Sequence, residues 1–314
     1  MIQKLISLVL IWFILVSCSG CRSEQEQRAC VSTDVPVESS LPEESISAAN
    51  EEVLYPDNGE KPPEVTFPDE PAIPWYTASR LIYHACGGLD GAMYTNSREA
   101  IAHTLAMGNF LVEVDFLFTA DDILVCAHRW EEFSEDGNPL VMADFLKHKI
   151  GGLYSTMTAL DVISYMEQFP ALYIVVDTKE RDLPAVVAEL VALCDSDPDI
   201  LNRFVLQVYG RNMKEKVKEI FPFKDENILF SCYKFGPERY YEILNICRDD
   251  NISIVTVPYD SWDSDIICKF QDRGIILFEH TVNLPEDAVH AMVRGIYGIY
   301  TDFLSAEEFA ANIQ

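Results

Sequence analysis

Basic residues are scarce in this sequence. Lysine and arginine total 23 against 51 aspartates and glutamates, which gives a formal net charge of −28. A surface with this charge repels nucleic acid and anionic lipid headgroups, so the composition argues against a nucleic-acid-binding role. An enzyme with such an acidic surface that acts on an anionic substrate would need local positive charge inside its cleft. A bound metal ion would supply it.

Several familiar motifs are also missing. No Gly-rich phosphate loop follows the first predicted strand, which disfavours an open, doubly wound sheet. The nine cysteines are not arranged in zinc-finger spacing, and no His-x-x-His pair is present, so a zinc site is not favoured. Cys21 and Cys30 could pair with each other.

The N-terminus has the pattern of a secretion signal. Residues 5–16 carry no charge, and the apolar part is too short to cross a bilayer comfortably. The Leu-Val-Ser-Cys sequence ending at Cys18 is similar to the bacterial lipobox, whose cysteine becomes lipidated. We therefore expect residues 1–18 to be a lipoprotein signal peptide and Cys18 to anchor the protein on the extracytoplasmic side of a bacterial membrane. An ordinary secretion signal and an uncleaved anchor remain alternatives.

Residues 19–75 differ from the rest of the chain in composition. Proline, glutamate, serine and asparagine dominate there, and the apolar residues follow neither a helical nor an alternating period. Such a segment cannot bury enough apolar surface to fold alone. We expect a disordered acidic tether that leads to one globular domain, residues 76–314.

The globular part alternates between strand-like and helix-like segments. Amphipathic stretches follow most of the apolar runs, which is typical of βα units in a parallel sheet. Eight units in about 240 residues predict an α/β protein with a (β/α)8 TIM barrel. An extra run at 123–128 follows its predecessor too closely for an intervening helix, so we expect a hairpin. The eight runs begin near residues 81, 110, 172, 204, 228, 252, 275 and 296.

Carboxylates interrupt two of these apolar runs. The period of two in a strand places Glu113 and Asp115 on one face, which we expect to be the barrel interior. Asp177 and Lys179 repeat the same spacing on another run. Three convergent carboxylates suit a hard divalent cation, Mg²⁺ or Ca²⁺. The alternative is an internal ion pair between Lys179 and either Glu113 or Asp177.

Three histidines end predicted strands. His84 and His128 are suited to act as acid and base in phosphodiester cleavage, because imidazole exchanges protons near neutral pH. Zinc ligation by these histidines is a weaker alternative, since oxygen ligands outnumber nitrogen. His280 could also enter the cleft.

An ordered set of motifs over residues 81–304 resembles the glycerophosphodiester phosphodiesterase family. No single motif is specific, but their order and spacing are. They are His-Ala-Cys-Gly-Gly at 84–88, Tyr-Thr-Asn-Ser-Arg-Glu-Ala at 94–100, Glu-Val-Asp at 113–115, His128, Asp-Thr-Lys at 177–179 and Thr-Asp at 301–302.

The resemblance implies a barrel of the phospholipase C-like phosphodiesterase type. It also implies metal-dependent hydrolysis of a small or lipid-derived glycerophosphodiester to glycerol phosphate and an alcohol. A substrate hydroxyl would attack phosphorus first, and water would then open the cyclic phosphate. The implied site has His84 and His128 as acid and base, Glu113, Asp115 and Asp177 as metal ligands, and Lys179 as a phosphate contact.

The sequence departs from the family pattern at several positions. Ala85 and Arg129 stand where the family usually has Arg and Asp, and we expect Arg129 to contact the substrate phosphate. Asp177 replaces a more usual Glu. His280 stands where many relatives have Trp and is a candidate for substrate binding. Asn96 could contact substrate, but the spacing of residues 96–99 favours a helix cap.

Two other functions remain open at this level. One is a metal-independent lyase that releases a cyclic phosphate, which the three metal-type carboxylates disfavour. The other is a non-catalytic lipoprotein that binds phosphodiesters, because a fold alone does not prove activity.

Overall fold

The computed structural model describes residues 74–178, 182–233 and 235–313. The predicted signal peptide, Cys18, almost all of the predicted tether and Lys179 lie outside the described residues. Within these ranges, no helix combines the length and the apolar character needed to cross a membrane.

Eight parallel strands form a closed barrel. They pair in chain order, and the first strand pairs with both the second and the last, which closes the sheet on itself. This confirms the predicted (β/α)8 barrel. The strands are β1 Leu81–Tyr83, β2 Leu111–Phe118, β3 Tyr173–Asp177, β4 Phe204–Val208, β5 Ile228–Ser231, β6 Ile254–Pro258, β7 Ile276–His280 and β8 Gly298–Thr301.

The two faces of the strands bury different side chains, as the alternation in β2 predicts. Leu111 packs inside the barrel with Val175 of β3 and Phe278 of β7. Val112 and Val114 belong to the larger apolar cluster between the strands and the helices. Glu113 and Asp115 therefore share the interior face, as expected from a period of two.

Helices surround the barrel and begin at recognisable caps. Ser97 caps the helix Arg98–Ala106 by accepting a hydrogen bond from Ala100 N. Thr158 and Asp161 form a reciprocal capping box at the start of the helix Ala159–Gln168. The α-helices are α1 Trp75–Ala78, α2 Arg98–Ala106, α3 Met142–Phe145, α4 Ala159–Gln168, α5 Leu183–Leu193, α6 Pro198–Leu201, α7 Met213–Ile220, α8 Tyr240–Asp249, α9 Ser264–Gln271, α10 Pro285–Arg294 and α11 Ala306–Ile313.

The connection between β2 and α4 contains the predicted hairpin. Strand Leu124–Cys126 runs antiparallel to β2, and Met157–Thr158 pairs with its other edge. The loop between them carries the short hairpin of Lys149–Ile150 and Tyr154–Ser155. The same connection buries its own aromatic cluster, built around Trp130, Phe133 and Phe145.

Candidate active site

Three carboxylates meet at the carboxyl ends of β2 and β3. Asp115 lies opposite Asp177 in the register of these two strands, and Glu113 lies two residues deeper on β2. One ligand oxygen from each residue lies within 4.8 Å of the others. Glu113 is only 2% exposed and Asp115 only 5%. The structure therefore brings together the three residues that the sequence predicts as metal ligands.

The two carboxylate oxygens of Glu113 differ in their hydrogen bonding. Its Oε2 accepts a hydrogen bond of 2.6 Å from the backbone N–H of Ala85, whereas its buried Oε1 has no hydrogen-bond partner among the described residues. Burial, followed by the nearby charges of Asp115 and Asp177, raises the pKa of Glu113 well above its usual value. A buried carboxylate oxygen without a partner is costly unless a cation satisfies it. The donor set, which consists of oxygen alone, fits Mg²⁺ or Ca²⁺.

Asn96 positions Asp115 and does not cap the helix. Its Nδ2 donates to Asp115 Oδ2 over 2.8 Å, and its Oδ1 accepts from Asp115 N over 3.0 Å. The capping prediction is wrong by one residue, because Ser97 makes the cap. Asn96 has a φ of 47°, a conformation that asparagine tolerates better than most residues. Its fully buried amide fixes the rotamer of a predicted metal ligand.

Asp177 is held by the backbone of the next residue and by a tyrosine. Its Oδ1 accepts a bond of 2.6 Å from Thr178 N and a second bond from the hydroxyl of Tyr209. Burial, followed by the charge of Asp115, raises the pKa of Asp177 to about 6. Tyr209 follows β4 directly and lines the same cavity, but no sequence motif identified it.

His84 is oriented by a carboxylate from the last barrel strand. Its Nδ1 lies 3.0 Å from Asp302 Oδ1, and its Nε2 lies 4.0 Å from Glu113 Oε2. Asn283 in turn donates to Asp302 Oδ2 over 2.7 Å and accepts from Asp302 N over 2.7 Å. Asp302 and Asn283 are thus positioning residues. The Thr-Asp motif at 301–302 contains Asp302 but assigns it no role.

Tyr94 stands between the two predicted acid/base histidines. Its ring lies 4.6 Å from the ring of His84 and 5.1 Å from that of His128, measured between centroids. His128 Nδ1 also lies 3.5 Å from Glu132 Oε1. The Tyr94 side chain is 40% exposed and forms part of the cavity wall. The structure therefore places both histidines on the same cavity, on either side of one aromatic ring.

These groups line a cavity of about 850 Å³. The carboxylates, His84, His128 and His280 all face it, and none of its described lining residues is lysine or arginine. Arg129 is not among the lining residues. Its side chain is 58% exposed, and its Nε donates to Glu132 Oε1 over 3.0 Å, so the contact expected between Arg129 and the substrate phosphate stays a prediction. The cavity is acidic, and a bound cation would have to balance the charge of an anionic substrate.

His280 ends β7 on the side of the cavity formed by β6 and β8. Its Nδ1 lies 3.1 Å from the hydroxyl of Thr256, and its ring meets that of Tyr300 edge to face at 5.9 Å. Burial, with a smaller contribution from His84, lowers the pKa of His280 to about 4. The imidazole is therefore neutral at physiological pH.

Solved structures with the same fold include phosphodiesterases. No protein-family model matches this sequence, and no curated protein matches it significantly. A phosphodiesterase from Oleispira antarctica, solved with its product sn-glycerol-3-phosphate, is 16% identical, with a TM-score of 0.61 and coverage of 76% of this chain and 98% of its own. At such identity the likeness establishes the fold.

Two further structures give the same result. A candidate glycerophosphoryl diester phosphodiesterase from Silicibacter pomeroyi is 18% identical, with a TM-score of 0.59 and coverage of 74% of this chain and 92% of its own. A glycerophosphodiester phosphodiesterase from Parabacteroides distasonis is 14% identical, with a TM-score of 0.58 and coverage of 74% and 96%. The fold resemblance identified from the motifs is confirmed, and this chain has the barrel of the glycerophosphodiester phosphodiesterases.

Proposed function

We propose that this protein hydrolyses a glycerophosphodiester to glycerol phosphate and an alcohol. The observation that carries the proposal is the convergence of three carboxylates, of which Glu113 and Asp115 are buried, and two imidazoles on one cavity. This convergence lies at the carboxyl end of the barrel strands, where catalytic groups of (β/α)8 enzymes gather. The fold shared with solved phosphodiesterases adds support.

Glu113, Asp115 and Asp177 would hold a divalent cation, Mg²⁺ or Ca²⁺. When bound, the cation would neutralise charge on the phosphoryl oxygens. The partnerless Glu113 Oε1 and the lack of lysine or arginine among the described lining residues support this assignment. Lys179, which lies outside the described residues, is proposed as a further phosphate contact.

The two histidines would divide the proton transfers between them. Asp302 holds Nδ1 of His84, which leaves Nε2 directed toward the carboxylates to accept the proton of the substrate hydroxyl that attacks phosphorus. His128 would donate a proton to the oxygen of the departing alcohol, and a cyclic phosphate would remain. In the second step His128 would take a proton from water, whose oxygen bonds to phosphorus. His84 would return its proton to the ring oxygen that leaves.

The first experiment is a coupled assay of glycerol phosphate release from glycerophosphodiesters. The wild type should be active in Mg²⁺ or Ca²⁺ and inactive after chelation, and His84→Ala and His128→Ala should each lose at least about 10²-fold in kcat. His290→Ala is a matched control, because His290 is exposed and pairs with Asp260 away from the cavity. A wild type that binds diesters without turnover would contradict the proposal. Accumulation of cyclic glycerol phosphate in the presence of chelator would instead indicate the lyase.

We also propose that Cys18 carries a lipid anchor on the extracytoplasmic side of the membrane. The support is the lipobox-like sequence before Cys18 and the acidic segment after it. Metabolic labelling with palmitate should mark the wild type and not Cys18→Ser, and the variant should leave the membrane fraction. Equal labelling of both proteins would contradict this assignment.

A further inference from the structure

Tyr94 packs against both predicted acid/base histidines. Its ring meets the ring of His84 edge to face, with an angle of 84° between the planes, and lies tilted by 38° against the ring of His128. An aromatic ring packed against an imidazole limits the rotamers that the imidazole can adopt. One side chain can therefore fix the separation of the two groups that must exchange protons with the same phosphodiester.

The main chain holds Tyr94 in an unfavourable conformation. Its φ of 59° lies in the left-handed region, which is costly for a residue with a bulky side chain. Among the described residues, the main-chain groups of residues 93–95 form no hydrogen bond with other main-chain groups. Such a conformation persists only when the surrounding structure enforces it. The position of Tyr94 must then be set by whatever holds the chain on either side of it.

The short hairpin in the β2–α4 connection holds the chain on both sides of Tyr94. On one side, the hydroxyl of Tyr154 donates to Leu89 O over 3.2 Å, and Tyr154 is only 7% exposed. On the other side, Glu99 Oε2 accepts from Ser155 N and Glu99 Oε1 accepts from Ser155 Oγ, each over 2.8 Å. The hairpin therefore braces the β1–α2 loop before and after its cavity-lining tyrosine.

The metal ligands are supported separately from this brace. Asn96 lies in the same loop, but its amide is tied to Asp115 by two hydrogen bonds that do not involve the hairpin. Loss of the hairpin contacts should therefore displace Tyr94 while Asn96 keeps its bonds to Asp115. Turnover and metal affinity should respond differently to changes in the brace.

We propose that Tyr94 is a positioning residue for the acid/base pair, His84 and His128. Glu99 and Tyr154 act through it, because they fix the chain on either side. For the reaction, this inference rests on the proposed function. One imidazole must reach the attacking hydroxyl while the other reaches the departing alcohol, and a misplacement of about 1 Å can slow such a step about 10²-fold.

The first test separates turnover from stability. Tyr94→Gly removes the ring and also relieves the unfavourable φ. We therefore expect kcat to fall at least about tenfold, while the melting temperature falls by no more than about 2–4 °C. Tyr94→Phe keeps the ring and should recover kcat to within about threefold of the wild type. A Tyr94→Gly enzyme with wild-type kcat would overturn the inference.

The second test asks whether the hairpin acts through Tyr94. Glu99→Ala should lower kcat about five- to tenfold and leave the affinity for Mg²⁺ or Ca²⁺ unchanged in a calorimetric titration. In the Tyr94→Gly background the same change should cost nothing further in kcat. Asp144→Ala is the matched control, because Asp144 lies in the same connection, is exposed and pairs with Lys147. Additive losses in the double variant would overturn the role of the hairpin.

A spectroscopic measurement separates this inference from the proposed function. An aromatic ring at 4.6 Å displaces the proton resonances of the His84 imidazole, so Tyr94→Gly should shift the His84 and His128 signals, assigned by their absence in the alanine variants. Glu99→Ala should shift them in the same direction, and Asp144→Ala should not. Unmoved signals in Glu99→Ala would overturn the inference even if the enzyme is active. An inactive wild type with the expected shifts would contradict the proposed function and support the positioning role.

Discussion

Asp115 and Asp177 lie directly opposite each other in the register of β2 and β3, so two acidic side chains leave the barrel wall at the same level. Glu113 adds a third carboxylate two residues below them. Burial and the neighbouring carboxylates raise the pKa values of Glu113 and Asp177 in the metal-free protein, so their charged forms are penalised. A divalent cation relieves this repulsion, and the stability of the protein should report its binding.

Metal binding should raise the melting temperature. A cation at about 100 times its Kd adds about 2.7 kcal/mol to the free energy of unfolding, which corresponds to about 5–10 °C for a domain of this size. Asp115→Asn should lose most of this shift in a thermal unfolding assay with and without Mg²⁺ or Ca²⁺. Asp272→Asn, which changes an exposed carboxylate, is the control. Equal shifts in the two variants would place the metal elsewhere.

Neighbouring residues Asn96 and Ser97 should affect different properties. Asn96→Gly avoids strain at the positive φ but removes both bonds to Asp115, so metal affinity should fall about 10- to 100-fold. Ser97→Ala removes the helix cap and the hydrogen bond to Thr95 Oγ1, neither of which involves Asp115, and should cost about 1 kcal/mol of stability with unchanged metal affinity. Calorimetric titration and denaturant unfolding measure the two effects. Similar metal affinities in both variants would contradict the assigned role of Asn96.

Asp302→Asn should impair turnover more than binding. The amide can no longer compensate the charge of a protonated His84 or fix its tautomer, so we expect kcat to fall by about 10² or more. KM and metal affinity should change little, because Asp302 is not one of the three clustered ligands. Steady-state kinetics test this split. Asp287→Asn, at the carboxylate that accepts from Tyr259, should retain wild-type kcat.

The pH dependence of stability should carry a contribution from His280. Its pKa is about 4 in the folded protein, below the ordinary value of 6.5. Between these values the unfolded chain binds the extra proton, so the contribution is complete above about pH 6.5 and is lost as the pH falls toward 4. The loss amounts to about 3 kcal/mol at most.

Glu113 and Asp177 have raised pKa values and act in the opposite direction over part of this range. The comparison of wild type with His280→Gln isolates the histidine. The variant should lose less stability on acidification, measured by urea unfolding at several pH values. Parallel curves for the two proteins would show that His280 is not the group responsible.

The sequence predicts most of the barrel and the acidic cluster because both depend on local periodicity. Alternation in β2 is sufficient to place Glu113 and Asp115 on the interior face. The closely spaced run after β2 is sufficient to predict the hairpin. These features require no knowledge of which distant segments meet.

The support around the cluster depends on contacts that local patterns do not encode. Ser97 rather than Asn96 caps α2, because a positive φ at Asn96 turns its amide toward Asp115. Tyr209 reaches Asp177 only because β3 and β4 are neighbours in the barrel. Arg129 is exposed and pairs with Glu132, a choice of partner that spacing alone does not predict.

The contact between His84 and Asp302 joins residues that are 218 positions apart in the chain. During translation, His84 leaves the ribosome long before its partner is made. Until β8 is made, the nascent protein lacks both the strand that closes the barrel against β1 and the carboxylate that orients His84. Activity should be acquired in one late event, when the final strand docks, and premature termination before β8 should yield no partly active product.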